Sequence, residues 1–255
     1  MPWEILALRY ATAELRRDHL VLDGDPHDRM GRLDYFVWLL RDGRRTVLVD
    51  TGFDAAEGGR RDRHLLRHPA EALERVGVRA DDIEDVVLTH LHFDHAGNLD
   101  AFPNARFHLQ DREMSFATGR CMCHARMRRP FSIEHVVKAV RLVYDERVVF
   151  HEGDYTLFPG LDVHLIGGHS MGLQVLVAAG PMRPVVVASD AAHLGAFVAA
   201  KDVFPVFGDY AEVLEGYRRL QELAGPEGVI LPGHDPQVLT EWPRYAGLED
   251  IVTVA

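Results

Sequence analysis

The chain has 255 residues, about 1.7 times a domain of roughly 150 residues, a length that suits one large α/β or sandwich domain, taken as 1–255. Hydrophobic residues at 47% and charged residues at 26% exclude a disordered or fibrous chain and supply a sizeable core. Asp and Glu number 39 against 28 Lys and Arg, a formal net charge of -11, which argues against a general polyanion binder and so against a nucleic-acid partner.

At the N-terminus, Met1-Pro2-Trp3-Glu4-Ile5-Leu6 has no basic region ahead of an apolar core, and no run reaches the roughly 18 apolar residues of a membrane span. A cytoplasmic protein without a membrane partner is expected. Trp3 to Tyr10 and Tyr35 to Leu40 read as strands, and Arg41-Asp42-Gly43-Arg44 carries the Asp-Gly signal of a tight hairpin into Thr46 to Asp50. Leu65, Leu66, Ala70, Leu73 and Val76 predict an amphipathic helix over Arg63 to Val76, ended by Gly77. Val86 to Leu88 and Arg106 to Leu109 are short strands, and Asp111 to Thr118 and Ile133 to Val143 are helical. Cys121 and Cys123, the only two cysteines, cannot frame a disulfide-rich domain and read as packed small side chains in a reducing compartment. His64, His68 and His135 fall on predicted helices and read as surface residues.

In the second half, Val148 to Phe150, Tyr155 to Phe158, Val163 to Ile166, Gln174 to Ala178 and Val185 to Ala188 are strands separated by Gly, Pro or Asp turns. Tyr210 to Leu223 is a helix and Val229 to Leu231 a closing strand. Strands then a helix in each half predict two packed sheets with helices outside.

The strongest chemical signal is His90-Leu91-His92-Phe93-Asp94-His95, four metal-capable side chains in six residues after a strand. His90 and His92, two apart, share one side of an extended chain, and a turn brings Asp94 and His95 round. Imidazole and carboxylate suit zinc, iron or manganese. Three more strands deliver a donor into a loop: Gly167-Gly168-His169-Ser170, Ser189-Asp190 and Pro232-Gly233-His234-Asp235. Loops at strand ends are where rigid scaffolds mount functional residues.

These residues resemble the metallo-β-lactamase superfamily, with its HxHxDH motif followed by a distant His, Asp and His; Asp50-Thr51-Gly52 is similar to its early VDTG turn. The resemblance implies an αβ/βα four-layer sandwich of α/β class with two divalent ions, zinc foremost, with iron, manganese or cobalt as alternatives. Carried over, His90, His92 and His169 hold one ion, Asp94, His95 and His234 the other, and Asp190 bridges them. Leu91 to Gly97 resembles the N-acyl-homoserine lactone lactonases of quorum quenching, and the stretches around His169 and Asp190 resemble the branch of 4-pyridoxolactonase. The implied activity is lactone hydrolysis by a hydroxide bridging the ions, with a glyoxalase II-type thioesterase as the alternative and another ester hydrolase or a nuclease behind it. Asp94 and His193 are the candidate proton shuttles. His193 stands where acyl-homoserine lactonases carry a tyrosine, and on that departure a small lactone, ring-fused or bearing a carboxylate, is expected over long-chain acyl-homoserine lactones. The partner is a small-molecule lactone or ester, with a homodimer as the assembly considered. Selectivity is expected from loops at Met30 to Asp34 and Met114 to Phe131, the latter with Arg126, Arg128 and Arg129, read first as a solvated helix face and second as carboxylate ligands.

Overall fold

Strands alternate side chains between two faces, so an apolar run such as Trp3-Glu4-Ile5-Leu6-Ala7-Leu8 fills two cores at once when both faces are covered. That arrangement is found in a computed structural model, which describes residues 2–255. The strands β1 (Glu4–Leu15), β2 (Gly31–Arg41), β3 (Thr46–Val49), β4 (His64–Leu65), β5 (Asp85–Val87), β6 (Arg106–Gln110) and β7 (Val148–His151) form the first sheet. A second sheet contains β8 (Tyr155–Phe158), β9 (Leu161–Leu165), β10 (Gln174–Ala179), β11 (Pro184–Ser189) and β12 (Val229–Pro232). The last strand, β13 (Ile251–Thr253), returns to pair antiparallel with β1, giving the order β13-β1-β2-β3-β5-β6-β7 with β4 also on β1; the second sheet runs β12-β11-β10-β9-β8. The β2–β3 hairpin is antiparallel as predicted, with Gly43 at φ 82° and Asp42 accepting from the amides of Arg44 and Arg45.

Trp3, Ile5, Ala7, Phe36, Trp38 and Val47 meet Val163, Leu176, Val185 and Val187 of the second sheet in the core between the sheets. The alternate residues Leu6, Leu8, Val37, Leu39 and Leu48 point the other way, into a core shared with helices. In chain order these are α1 (Ala55–Arg60), α2 (Pro69–Glu74), α3 (Asp111–Thr118), α4 (Ala125–Arg128), α5 (Ile133–Tyr144), α6 (Gly195–Ala200), α7 (Tyr210–Ala224) and α8 (Val238–Glu241). Helix α2 contacts β1 and α5 contacts β7, whereas α7 packs on β11 and β12. The architecture is α/β, helix–sheet–sheet–helix, as expected. Among the described residues no helix is long and apolar enough to cross a membrane.

The predicted helix over Arg63 to Val76 is corrected: its first part is β4, and only Pro69–Glu74 is helical. Pro69 disfavours helix in the residue before it, and His68 is extended (ψ 138°), with its ring accepting from the Ala70 amide as N-cap. His64 is exposed on a strand, and His135, expected at the surface, is buried on α5 at 4% exposure. The expected loop at Met30 to Asp34 is the start of β2 from Gly31 on, with Asp34 fully buried.

Between β5, β6 and β7, His108 Nε2 donates to Asp85 Oδ1 (2.9 Å), and its Nδ1 shares a hydrogen bond with His151 Nε2 (3.0 Å); the half-buried His151 ring stacks on Tyr155. Burial, then the neighbouring His108 ring, pushes His151 down to about 4. The unfolded chain therefore binds the extra proton between the ordinary histidine value and about 4, and the folded chain does not. The contribution is complete at neutral pH, is lost as pH falls through that window and levels off below it. His151→Gln, which retains a donor, should flatten the fall in urea midpoint between neutral pH and pH ~4.5 relative to wild type. Parallel curves would show that His151 is not responsible.

Candidate metal centre

Strand β5 runs into Leu88-Thr89 and then the turn that carries His90 to Gly97. This turn is pressed against the one after β3: Thr51 N–H donates to His95 O (2.7 Å) and Gly97 N–H to Gly52 O (2.7 Å). A Cβ on Gly97 would lie 2.4 Å from that same oxygen, so only glycine fits. His169 follows β9, Asp190 follows β11 and His234 follows β12. The four segments bring seven donors from both sheets to one place, and all seven are buried.

The geometry divides them. His90, His92, His169 and Asp190 offer ligand atoms mutually within 4.8 Å, and so do Asp94, His95 and His234. Asp190 reaches both groups. Its Oδ2 lies 3.1 Å from His169 Nε2 and 3.9 Å from His90 Nε2, while Oδ1 lies 2.9 Å from His234 Nε2 and 3.3 Å from His95 Nε2. Yet the Nε2 atoms of His90 and His95, and Asp190 Oδ1, are buried without a hydrogen-bond partner. Within the cluster His169 Nε2 and His92 Nδ1 lie 2.9 Å apart as a hydrogen-bonded pair. Buried polar atoms almost always have partners, so the three converging atoms left without one fit divalent ions with N/O ligands.

Neighbouring groups prepare these donors. Asp50 Oδ2 accepts from His95 Nδ1 (2.7 Å), and Asp50 Oδ1 accepts from the Thr89 amide (2.7 Å). The Asp34 carbonyl accepts from His234 Nδ1 (3.0 Å) while Asp34 N–H donates to His234 O. With Nδ1 donating, each ring turns an Nε2 lone pair to the cluster, the usual way an imidazole ligand is oriented. Burial, with the adjoining imidazoles, holds His90 and His92 well below the ordinary histidine value, leaving them neutral. Asp50 and Ser189, at φ 62° and 46°, carry left-handed backbone at the strand ends, where strain concentrates at functional sites.

Fully buried Glu113 of α3 joins the two histidine segments. Its Oε1 accepts from Leu91 N (2.9 Å), between His90 and His92, and its Oε2 from Ser170 Oγ (2.6 Å) and Gly172 N (2.9 Å), beside His169. A Cβ on Gly172 would sit 2.2 Å from Glu113 N. Glu113 was not foreseen as part of the site, and Asp34 was foreseen only as the end of a substrate-selecting loop, not as the group that orients His234. A glutamate in a helix reads as solvated, and no spacing signal ties either residue to a motif.

Above the cluster opens a cavity of about 720 Å³, lined by His92, Asp94, His169, Asp190, His193 and His234 together with Leu33, Tyr35 and Phe204. His193 is buried; its Nε2 is 3.1 Å from Asp190 Oδ2 and its ring stacks 4.0 Å from that of Phe204. Burial pushes it down to about 4 against the pull of Asp190. Of the arginine group, Arg126 and Arg129 line the cavity, whereas Arg128 turns to the carbonyls of Met122 and Cys123. Cys121 and Cys123 belong to neither donor group.

This fold and donor set define a metallohydrolase class, and the profile of the metallo-beta-lactamase superfamily matches residues 30–234. The chain belongs to that superfamily. It is similar to the N-acyl homoserine lactonase of Bacillus cereus, 27% identical over 220 residues covering 80% of this chain and 82% of that one. Among solved structures, a quorum-quenching N-acyl homoserine lactone lactonase superposes with a TM-score of 0.80 at 23% identity, over 95% of this chain and 96% of the other. A dizinc quorum-quenching lactonase in complex with a product gives 0.73 at 18% identity, over 92% and 88%. At these identities the structural likeness establishes the fold.

Proposed function

We propose that this chain is a lactone hydrolase with a dinuclear centre, in which His90, His92 and His169 hold one divalent ion, Asp94, His95 and His234 a second, and Asp190 lies between them. The observation that carries this reading is Asp190, whose two oxygens face different groups of imidazoles. Similarity to lactonases, one of them dizinc, supports the substrate class and zinc as the metal. Because the donors come from both sheets, neither half holds a site alone, which supports one hydrolase domain over 1–255.

Two divalent ions at such a site supply a water of lowered pKa and polarise an ester carbonyl. The chain's own groups do the rest. Ring opening adds the oxygen of water to the carbonyl carbon and breaks the ring C–O bond, and the freed alkoxide must gain the proton that the water lost. The Asp94 carboxylate and His193 Nε2, both at the cavity wall, are the groups proposed to carry it. Leu33, Tyr35 and Phe204 exclude bulk water around the ring.

The metal-replete protein should contain about two ions per chain and hydrolyse members of a panel running from acyl-homoserine lactones to ring-fused lactones, in preference to acyl-glutathione thioesters. One ion per chain at full activity would remove the dinuclear centre, and a preference for thioesters would move the chain to the glyoxalase II type.

A further inference from the structure

We propose that Arg126 and Arg129 form an anion subsite on the wall of the metal cavity, and that the substrate is a lactone carrying a carboxylate; the substrate class rests on the lactonase reading above. Both residues line the cavity with His92 and His169, and both also line a narrow recess that continues it between Phe116, Pro205 and Phe207. Arg129 keeps helical backbone after α4 (φ -54°, ψ -42°), so the two side chains, three residues apart, leave the same face.

Neither guanidinium makes a hydrogen bond or ion pair with any described residue, which their neighbours do. Arg61, also on the cavity wall, is committed: it pairs with Glu57, donates to the carbonyls of Arg129 and Phe131, and lies 4.1 Å over the Phe93 ring. Arg128 is spent on two backbone carbonyls. A further arginine of the wall, Arg63, has its Nε buried without a partner.

No carboxylate of the wall forms an ion pair with Arg126 or Arg129. Asp94 and Asp190 belong to the donor groups, and Asp18 is paired with Arg16. In a chain of net charge -11, two guanidinium groups without an ion-pair partner on this wall are a local concentration of positive charge, which draws anions. A neutral acyl chain makes no use of two free guanidinium groups, whereas a carboxylate takes paired N–H donors from them. The main cavity, at about 720 Å³, holds the body of a ring, and the recess of about 20 Å³ beyond it is too narrow for more than a small group at the arginine end.

The test compares metal-loaded wild type with Arg126→Ala, Arg129→Ala and the double variant on 5-oxotetrahydrofuran-2-carboxylate and its methyl ester, which differ in charge at nearly constant shape. In wild type the acid should exceed the ester in kcat/KM by about tenfold or more, chiefly through KM. The ratio should fall toward one in the double variant and recover in part with lysine at both positions. A ratio of one in wild type, or one that survives the double variant, overturns the subsite and leaves the lactonase reading standing. If neither lactone is turned over, the lactonase reading fails alone. Calorimetric binding of 2-hydroxyglutarate then decides the subsite: about tenfold weaker binding by the double variant supports it, and equal binding by the two proteins overturns it.

Discussion

Asp190→Ala should cost roughly a thousandfold or more in turnover and retain less than the full complement of metal, because the proposed centre would lose the one carboxylate shared by both donor groups. Among the described residues, Asp190 is the only carboxylate near His90, His169, His193, His95 and His234 together. It follows β11 and lies beyond the apolar core between the sheets, so the far-ultraviolet dichroism should change little. His169→Ala, which removes a donor on the Oδ2 side alone, should behave similarly. Elemental analysis beside turnover provides the check, and near-normal activity in either variant would remove the ligand assignment. A collapse of the fold in place of a loss of metal would mean that the ions also hold the sheets together.

The second large effect is expected at a residue that is not a metal donor. Glu113→Ala would leave the amides of Leu91 and Gly172 and the Ser170 hydroxyl without their acceptor in a fully buried place. A buried polar group left unpaired costs about 1–3 kcal/mol, so a loss of about 3 kcal/mol in the urea-unfolding free energy is anticipated. Because those donors flank His90, His92 and His169, metal affinity should also weaken by about 10- to 100-fold, as when groups supporting a ligand are removed. Competition against a chelator measures that second quantity. Lost stability with unchanged affinity would show Glu113 to be a core residue and nothing more.

Much of the centre was legible before any coordinates. Four donors crowd into residues 90 to 95, and His169, Asp190 and His234 each follow a strand into a loop, so one-dimensional order already marked them. What escaped notice depends on contacts between distant segments. His64 and Leu65 fit a helical period, yet Leu65 pairs with Ala11 of β1, and only Pro69 hinted that the helix begins later. His135 lies at helical spacing from Ala139 and Leu142 on the buried face of α5, a signal that was passed over because a histidine was read as a surface residue; its place beside Gly97 is a tertiary contact. Met30 to Asp34 was assigned to substrate selection from its mixed composition. Leu33 of that segment does line the cavity, and Asp34 adds a second part by orienting His234, because β2 passes beneath the loop after β12. The pairing of a two-residue strand and the reach of one carbonyl are tertiary facts, without periodicity to betray them.

The amide of Gln174 has a consequence for the accuracy of the centre. Fully buried at the start of β10, it donates from its side chain to the carbonyls of Leu88 and His108, accepts from Gln110, and donates from its backbone to Thr89. Two greasy sheet faces can dock at several nearly equal offsets, since apolar contact is non-directional. Directional bonds from one strand of the second sheet to β6 and to the segment after β5 leave one offset acceptable. A catalytic constellation must be held to within about 0.5 Å, and here its members come from opposite sides of a sliding plane. The glutamine acts as a dowel, setting the alignment of the two halves to the tolerance that coordination chemistry demands.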